Sequence, residues 1–297
     1  MNREMQELMK ARPGGNFTAD ISDASTEEFW ERGFTLVPRV TTDEEINWLR
    51  KVYDLFFSSD LELPKGARVA DTMRPLAKQR QGKVALASQV LFPESLYPEL
   101  RETLFYRNTQ RIAQKLLSSS ELSCWGHMLR KAPGCMDPTP WHQDEAYWDP
   151  NFDRDAAACW MPLEDATLES SAMSFVPGSH KTPLMHHGFP GNDPSVTALM
   201  LLEPFPVENA VPQPVPAGGI SIHHQRVVHG SGPNLTDRPR RAYVNVWNSK
   251  VAQRLVPHER PWYWEKKKAR DNFNNESQYY HDGSFPDVTR PRQASKG

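Results

Sequence analysis

The stretch GGISIHHQRVVHGSGPNLTDRPRRAYVNVW, residues 218–247, decides the fold that the sequence predicts. It opens on a glycine turn and continues into a strand-like run over 220–229. A turn rich in Ser, Gly, Pro, Asn and Asp follows, and a second strand-like run begins at Arg240. No helix separates the two runs, so they are predicted to be antiparallel neighbours rather than strands of a parallel sheet.

The second run also predicts a strand whose two faces carry different side chains. Ala242, Val244 and Val246 alternate with Tyr243, Asn245 and Trp247. Successive side chains of a strand point to opposite faces, so the two sets are predicted to lie on opposite sides of one sheet.

Earlier segments extend the same pattern. Strand-like runs separated by Pro/Gly turns lie at 122–131, 140–148, 156–163 and 171–177. Two helices precede them, one after Thr42 and one from about Glu94 to Leu117. The prediction is a mainly β fold, a double-stranded β-helix (jelly roll, cupin-like) with the N-terminal helices packed on one sheet.

The chain divides into three predicted parts. Residues 1–24 are expected to form a poorly ordered or loosely docked N-terminal arm, 25–257 a single jelly-roll domain, and 258–297 a C-terminal extension. The extension is aromatic and charged, and it is expected either to pack over the barrel mouth or to form a subunit contact, which leaves a homodimer open. The long connections 60–92 and 181–217 are candidates for a substrate cap.

Candidate metal ligands lie in two separate segments. In WHQDEAYW, 141–148, His142 and Asp144 are two residues apart, which on a strand aims both side chains into one cavity. His229 ends the strand-like run of the opening stretch. Two histidines and one carboxylate form the facial triad of non-haem Fe(II) oxygenases.

Other interpretations of these histidines remain open at this point. His142 and Asp144 also fit a half-buried strand in which the two side chains simply hydrogen-bond each other. His223 and His224 compete with His229 as the distal ligand, but they lack the Ser at +2 and the Arg at +11 that follow it. The adjacent pair His186-His187 is expected to be exposed on its loop rather than to bind metal.

An arginine lies eleven residues after His229. The planar guanidinium of Arg240 matches a carboxylate bidentately, as a dicarboxylate co-substrate requires. The alternative is a solvated basic cluster of Arg240 with Arg238 and Arg241.

Together these residues carry a family resemblance. The matching pieces are FWERGFTLVPRVTTDEEI at 29–46, LRKAPG at 129–134, PWHQDEAYW at 140–148, CWMPLEDATLESSAMSFVPGSHK at 159–181 and the opening stretch at 218–247. Over roughly 29 to 247 the chain resembles the phytanoyl-CoA dioxygenase (PhyH) family of Fe(II)/2-oxoglutarate-dependent oxygenases. The combined pattern is specific, although no single piece is.

The resemblance implies a set of site residues. The iron ligands would be His142, Asp144 and His229, with Fe(II), 2-oxoglutarate and O2 as cofactor and co-substrates. Arg240 would hold the distal carboxylate of 2-oxoglutarate with help from Ser231, and Trp160 would line that pocket. The family also uses a residue on the preceding strand, near Ser123 or Cys124, and that contact is left open.

The implied activity is hydroxylation of an unactivated C–H bond in a small organic molecule, a secondary metabolite or an acyl derivative, with conversion of 2-oxoglutarate to succinate. Related halogenases have Gly or Ala in place of the carboxylate ligand, and this chain keeps Asp144, so oxygenation is implied. Alternatives are desaturation, rearrangement or epimerisation at the same site, a cupin-type reaction without 2-oxoglutarate, or a non-catalytic jelly-roll binding module.

Composition limits the partners. The net charge of −2 gives no overall field for nucleic acid, and no apolar run approaches the roughly 20 residues of a membrane span. The charged N-terminus has no apolar signal core, and three cysteines without metal spacing fit a reducing compartment. The expected partner is a small-molecule substrate, without nucleic acid or membrane, in the cytoplasm.

Overall fold

The computed structural model describes residues 3–58, 61–64, 67–69, 71–74 and 87–273. The α-helices are α1 (Arg3–Lys10), α2 (Asp23–Arg32), α3 (Asp43–Phe56), α4 (Pro93–Leu96), α5 (Leu104–Leu116) and α6 (Pro261–Phe273). The strands are β1 (Phe34–Val37), β2 (Arg68–Val69), β3 (Ala87–Leu91), β4 (Ser123–Lys131), β5 (Thr139–His142), β6 (Phe152–Asp153), β7 (Ala156–Pro162), β8 (Met173–Phe175), β9 (His187–Gly188), β10 (Met200–Leu201), β11 (Val211–Pro212), β12 (Ile220–His224), β13 (His229–Ser231), β14 (Arg240–Asn248) and β15 (Ala252–Gln253).

Two antiparallel sheets form the body of the fold. The large sheet has the strand order β1-β12-β7-β14-β4-β3-β2, and the small sheet has the order β11-β8-β13-β5. An inner apolar cluster joins large-sheet residues such as Trp160 and Val244 to Phe175 of the small sheet. The predicted jelly-roll class is confirmed, because two antiparallel sheets enclose one core between them.

The outer face of the large sheet is covered by helices. Tyr243 and Trp247 of β14 meet α5 there, with ring centroids 5.0 Å from Phe105 and 5.0 Å from Tyr106, respectively. Ala242, Val244 and Val246 of the same strand belong to the inner cluster. Both the predicted division of this strand into two faces and the packing of N-terminal helices on one sheet are confirmed.

The predicted single helix over 94–117 is wrong, because the segment is broken into three pieces. The short α4 ends before Tyr97, a 3-10 helix spans Pro98–Glu102, and α5 begins at Leu104. A residue before proline is driven out of the helical region, and Tyr97 is extended at φ −135° and ψ 92°. Thr103 then starts the next helix by accepting a hydrogen bond from the Tyr106 amide at 3.1 Å.

The N-terminal arm is docked rather than loose, which corrects the expectation for its described residues. Helix α1 buries Met5 and Met9 completely or nearly so. The indole of Trp48 on α3 donates to the Leu8 carbonyl at 2.8 Å, and the Ala19 amide donates to the Asn108 side chain at 3.1 Å. An amphipathic helix buries its apolar face wherever a matching surface exists. The division into arm, domain and extension stays a prediction.

Other expectations fall partly outside the described residues. About half of the connection 60–92 and all of the tail beyond 273 lie there. The connection 181–217 is described throughout and carries the β9–β10 ribbon, and its residues Thr197 and Ala198 line a cavity inside the barrel. The three cysteines are free and buried. Among the helices of the described ranges, none combines the length and apolar character needed to cross a bilayer.

Candidate functional site

The three predicted metal ligands converge at one end of the small sheet. His142 is the last residue of β5, and it lies directly opposite His229, the first residue of β13. Asp144 opens a 3-10 helix, Asp144–Tyr147, so the strand predicted over 140–148 is wrong beyond His142. The strand predicted over 220–229 is also wrong in part: it ends at His224, and His229 begins a separate strand in the other sheet.

The ligand atoms of these side chains lie close enough to share one ion. One atom from each of His142, Asp144 and His229 falls within 4.8 Å of the others. Oδ1 of Asp144 is 3.4 Å from Nε2 of His142 and 3.6 Å from Nε2 of His229. Both imidazoles are buried, with ring centroids 4.3 Å apart. The described chain therefore brings together the two-histidine, one-carboxylate set that suits Fe(II).

Backbone hydrogen bonds fix the tautomers of the two histidines. Nδ1 of His142 donates to the Pro140 carbonyl at 2.8 Å, and Nδ1 of His229 donates to the Val227 carbonyl at 3.0 Å. A carbonyl accepts only, so each proton is on Nδ1 and each Nε2 carries a lone pair. Burial, followed by the proximity of His142, holds the pKa of His229 well below its ordinary value. Both rings therefore present an Nε2 lone pair to a cation, and two such histidines with one carboxylate fit a divalent metal.

A third buried histidine acts on the carboxylate. Nε2 of His223 lies 3.1 Å from Oδ2 of Asp144, and it donates because a carboxylate only accepts. This contact leaves Oδ1 facing the other two histidines. Burial alone raises the pKa of Asp144, but the neighbouring histidines outweigh it and hold that pKa well below its ordinary value. His224 lies by contrast beside His180, with ring centroids 5.2 Å apart.

Gln143, which lies between the two ligands in sequence, anchors this segment through hydrogen bonds. The Gln143 amide donates to Nε2 of His187 at 3.1 Å, and the Gln143 side chain bonds the Met185 amide and the Arg226 carbonyl at 2.9 and 2.8 Å. His187 is only 1% exposed, so the expectation that this loop histidine is exposed is wrong. Its ring is buried because it accepts a backbone amide and donates to the Met185 carbonyl at 2.8 Å.

The triad opens on a cavity of about 290 Å³ that follows two neighbouring strands. On β4 and β14 the pairs are Arg240 with Lys131, Val244 with His127, and Val246 with Trp125, and all six residues line the cavity. These pairs are spaced by even numbers of residues, so their side chains share one face. At about 3.3 Å per residue, Lys131 and Trp125 lie roughly 20 Å apart along β4. Along β4 the cavity thus runs from a cationic end at Lys131 to an aromatic end at Trp125.

The cationic end contains the residues predicted to bind a dicarboxylate. Arg240 is 6% exposed and Ser231 is 8% exposed, and the guanidinium lies 5.5 Å from the Trp160 ring centroid. Within the described residues, Nε and Nη1 of Arg240 have no hydrogen-bond acceptor. Burial lowers the pKa of Arg240 to about 10. A buried guanidinium with unsatisfied donors fits a carboxylate ligand.

Comparison with known proteins places this chain in a family. The sequence profile of the phytanoyl-CoA dioxygenase (PhyH) family matches residues 29–242. The chain belongs to the phytanoyl-CoA dioxygenase family.

Several relatives illustrate this membership. EvdO2 from Micromonospora carbonacea var. aurantiaca, solved in complex with 2-oxoglutarate, is 36% identical, with a TM-score of 0.72 over 84% of this chain and 99% of that one. Phytanoyl-CoA dioxygenase domain-containing protein 1 of Bos taurus is 38% identical over 88 residues, 29% of this chain and 30% of the relative. Phytanoyl-CoA dioxygenase of Arabidopsis thaliana is 30% identical over 115 residues, 38% and 39% of the two chains. The alignments with these two curated relatives span less than half of each relative's length.

The structure of this PhyH-family chain also contains site residues that sequence reasoning missed. Lys131 lies beside Ser231, with Nζ 3.1 Å from its hydroxyl. Neither Ser123 nor Cys124, near which a further co-substrate contact was left open, lines the cavity: Ser123 is exposed and Cys124 packs in the outer cluster. The signal was present in the sequence: Lys131 lies an even number of residues from Trp125 in a strand-like run and therefore shares its face.

Proposed function

We propose that this PhyH-family chain is an Fe(II)/2-oxoglutarate-dependent dioxygenase that hydroxylates an unactivated C–H bond of a small organic molecule, a secondary metabolite or an acyl derivative. The observation that carries the proposal is one cavity that holds both a His-Asp-His cluster and a buried arginine with unsatisfied donors. EvdO2, its relative at 36% identity, was solved with 2-oxoglutarate bound.

Fe(II) bound here, with 2-oxoglutarate and dioxygen as co-substrates, would supply the oxidising power for hydroxylation, with succinate and carbon dioxide as co-products. His142, Asp144 and His229 would hold the metal. Arg240 and Ser231 would hold the distal carboxylate, and Trp160 would form a wall of that pocket. The protein's own contribution is to bind and orient these groups.

The remaining cavity surface suits a substrate with apolar parts. Trp125, Tyr147 and Trp148 line it together with Leu129 and Val246. Aromatic side chains provide large contact areas at low conformational cost, and they exclude water from the metal site. A small organic molecule would approach the triad from this aromatic end, while the co-substrate occupies the cationic end.

The first test is an anaerobic titration of the full chain with Fe(II) and then with 2-oxoglutarate, monitored by visible absorption. We expect a weak charge-transfer band that saturates near one equivalent of each. In Arg240→Ala the keto acid should bind at least about tenfold more weakly, because a charge-assisted bidentate contact is lost, while Fe(II) binding persists.

Arg238→Ala is the matched control, since Arg238 lies two residues away with an exposed side chain. It should titrate like the wild type. Iron binding without any response to 2-oxoglutarate would contradict the proposal and favour a cupin-type reaction. A protein that binds neither would favour a non-catalytic binding module.

A further inference from the structure

A lysine lies directly beside the arginine at the cationic end of the cavity. Lys131 ends β4 and is paired in register with Arg240, the first residue of β14. It is only 4% exposed. Its ammonium makes hydrogen bonds to three uncharged acceptors, the hydroxyls of Ser171 and Ser231 and the carbonyl of Gly232, at 3.0, 3.1 and 2.8 Å. Two buried cations are therefore adjacent at one site.

The direction of these hydrogen bonds determines whether the Ser231 hydroxyl can donate a hydrogen bond to a ligand in the cavity. An ammonium has three protons and no acceptor, so Lys131 donates one proton to each of the three oxygens, of Ser171, Ser231 and Gly232. Ser171 either donates to Gly232 at 2.7 Å or to Ser231 at 3.1 Å. In both arrangements Ser231 accepts from Lys131, which leaves its own hydroxyl proton available to the cavity.

Two adjacent buried cations repel each other and lose hydration, which is unfavourable unless an anion offsets both charges. The distal carboxylate of 2-oxoglutarate supplies such a charge. A keto acid of the same length without that carboxylate leaves both cations uncompensated. The pair thus provides a physical basis for selecting dicarboxylates.

We propose that Lys131 is a positioning and specificity-determining residue of the co-substrate site, which directs the Ser231 hydroxyl proton toward the distal carboxylate of 2-oxoglutarate and adds a second positive charge beside Arg240. The inference rests on the proposed function, because it assumes that 2-oxoglutarate binds at this end of the cavity.

The charge state of Lys131 links the site to pH. Burial, and then repulsion by Arg240, lower the pKa of Lys131 to about 7, while Cys135 and Asp137 act in the opposite direction. A bound carboxylate raises this pKa, so binding above pH 7 takes up a proton. A neutral amine can also accept the Ser231 proton, which removes it from the carboxylate. Affinity for 2-oxoglutarate should therefore fall as pH rises through 7.

The test is calorimetric titration of the full chain loaded with Mn(II), which needs no turnover. The two probes are 2-oxoglutarate and 2-oxopentanoate, which has the same chain length but no distal carboxylate. In Lys131→Met we expect 2-oxoglutarate to bind at least about tenfold more weakly and 2-oxopentanoate to bind within about twofold of wild type. Lys51→Met, which changes an exposed lysine, is the control and should leave both affinities unchanged.

Two further measurements separate this role from a structural one. Lys131→Met should cost much less in a Ser231→Ala background, because the lysine acts in part through that hydroxyl. The rise in dissociation constant above pH 7 should disappear in Lys131→Met. Equal weakening of both keto acids, or no weakening of either, would overturn the inference while leaving the proposed function intact. A wild-type protein that binds Mn(II) but not 2-oxoglutarate would overturn the proposed function, and this inference with it.

Discussion

At the scale of single residues, the candidate metal site depends on hydrogen bonds that select which atom faces the cavity. His142 and His229 each donate from Nδ1 to the carbonyl two residues earlier. His187 repeats the same local contact with Met185. These bonds cost little to form because the partners are close in sequence, and they keep the ring orientation fixed before any metal arrives.

The contact from His223 to Asp144 gives a prediction at this scale. His223→Phe keeps an aromatic ring but removes the donor to Oδ2, so the carboxylate loses its orientation. The dissociation constant for Fe(II) should rise about 10- to 100-fold, a typical result of losing a partner that orients a ligand. Anaerobic metal titration measures it. His186→Ala, at an exposed histidine, is the control and should bind Fe(II) like wild type.

His142→Ala should abolish specific Fe(II) binding, because it removes a ligand rather than the partner of one. An effect of His223→Phe as large as that of His142→Ala would instead make His223 a ligand. Wild-type affinity in His223→Phe would show that the hydrogen bond has no part in metal binding.

At the scale of elements, Arg260, just before α6, and Trp262, in its first turn, make hydrogen bonds that anchor the 3-10 helix Asp144–Tyr147. Arg260 is 1% exposed and donates to the carboxylate and carbonyl of Glu145, both at 2.7 Å, and to the Trp148 carbonyl at 2.9 Å. The indole of Trp262 donates to the Ala146 carbonyl at 2.9 Å. The described part of the C-terminal extension therefore packs over the cavity side of the barrel. This agrees with packing over the barrel mouth, one of the two predicted alternatives.

Removing the Arg260 contacts should destabilise the protein. Arg260→Met leaves Glu145 buried with less compensation, although Arg254 still lies 3.1 Å from the same carboxylate. We expect the free energy of unfolding to fall by about 3 kcal/mol, the lower end for breaking a buried ion pair. Urea unfolding of the apo-protein measures it.

The control for this prediction is Arg238→Met, at a residue whose side chain is 83% exposed. Its unfolding free energy should change by no more than about 0.5 kcal/mol. An Arg260→Met protein as stable as the control would mean that the 3-10 helix is held by other contacts.

Sequence patterns predicted these elements unevenly. The alternation over 240–248 identified β14 and both of its faces, because a strand buried between two layers needs apolar side chains on both sides. The break at Tyr97 was missed although Pro98 signals it, because the apolar period continues on either side of the break. The turn from strand to 3-10 helix at Asp144 was missed because strand-favouring aromatic residues flank it.

At the scale of the whole molecule, buried neutral histidines link stability to pH. Burial lowers the pKa of His187 and of His224 to about 3 each, against an unfolded value near 6.5. The unfolded chain therefore binds more protons between these values, and stability is present above pH 6.5 and lost as pH falls. By pH 5 each histidine should lower the free energy of unfolding by about 2 kcal/mol.

The measurement is urea unfolding of wild type and His187→Gln at pH 7.5 and pH 5. Glutamine does not titrate, so the variant should lose less stability between the two pH values than wild type loses. Comparing the change with pH removes any constant cost of the substitution. Parallel losses in the two proteins would mean that His187 does not contribute to the pH dependence.

The sequence by itself determined the fold class and the identities of the residues that meet at the site. Strand alternation, turn residues, the spacing of His142 from Asp144 and the spacing of His229 from Arg240 are local properties of short segments. Only the tertiary structure decided that His187 is buried, that His223 contacts Asp144, and that Lys131 lies beside Arg240. Each of these depends on side chains from distant segments meeting in a low-dielectric interior, where burial and hydrogen-bond satisfaction rather than local pattern set their chemistry.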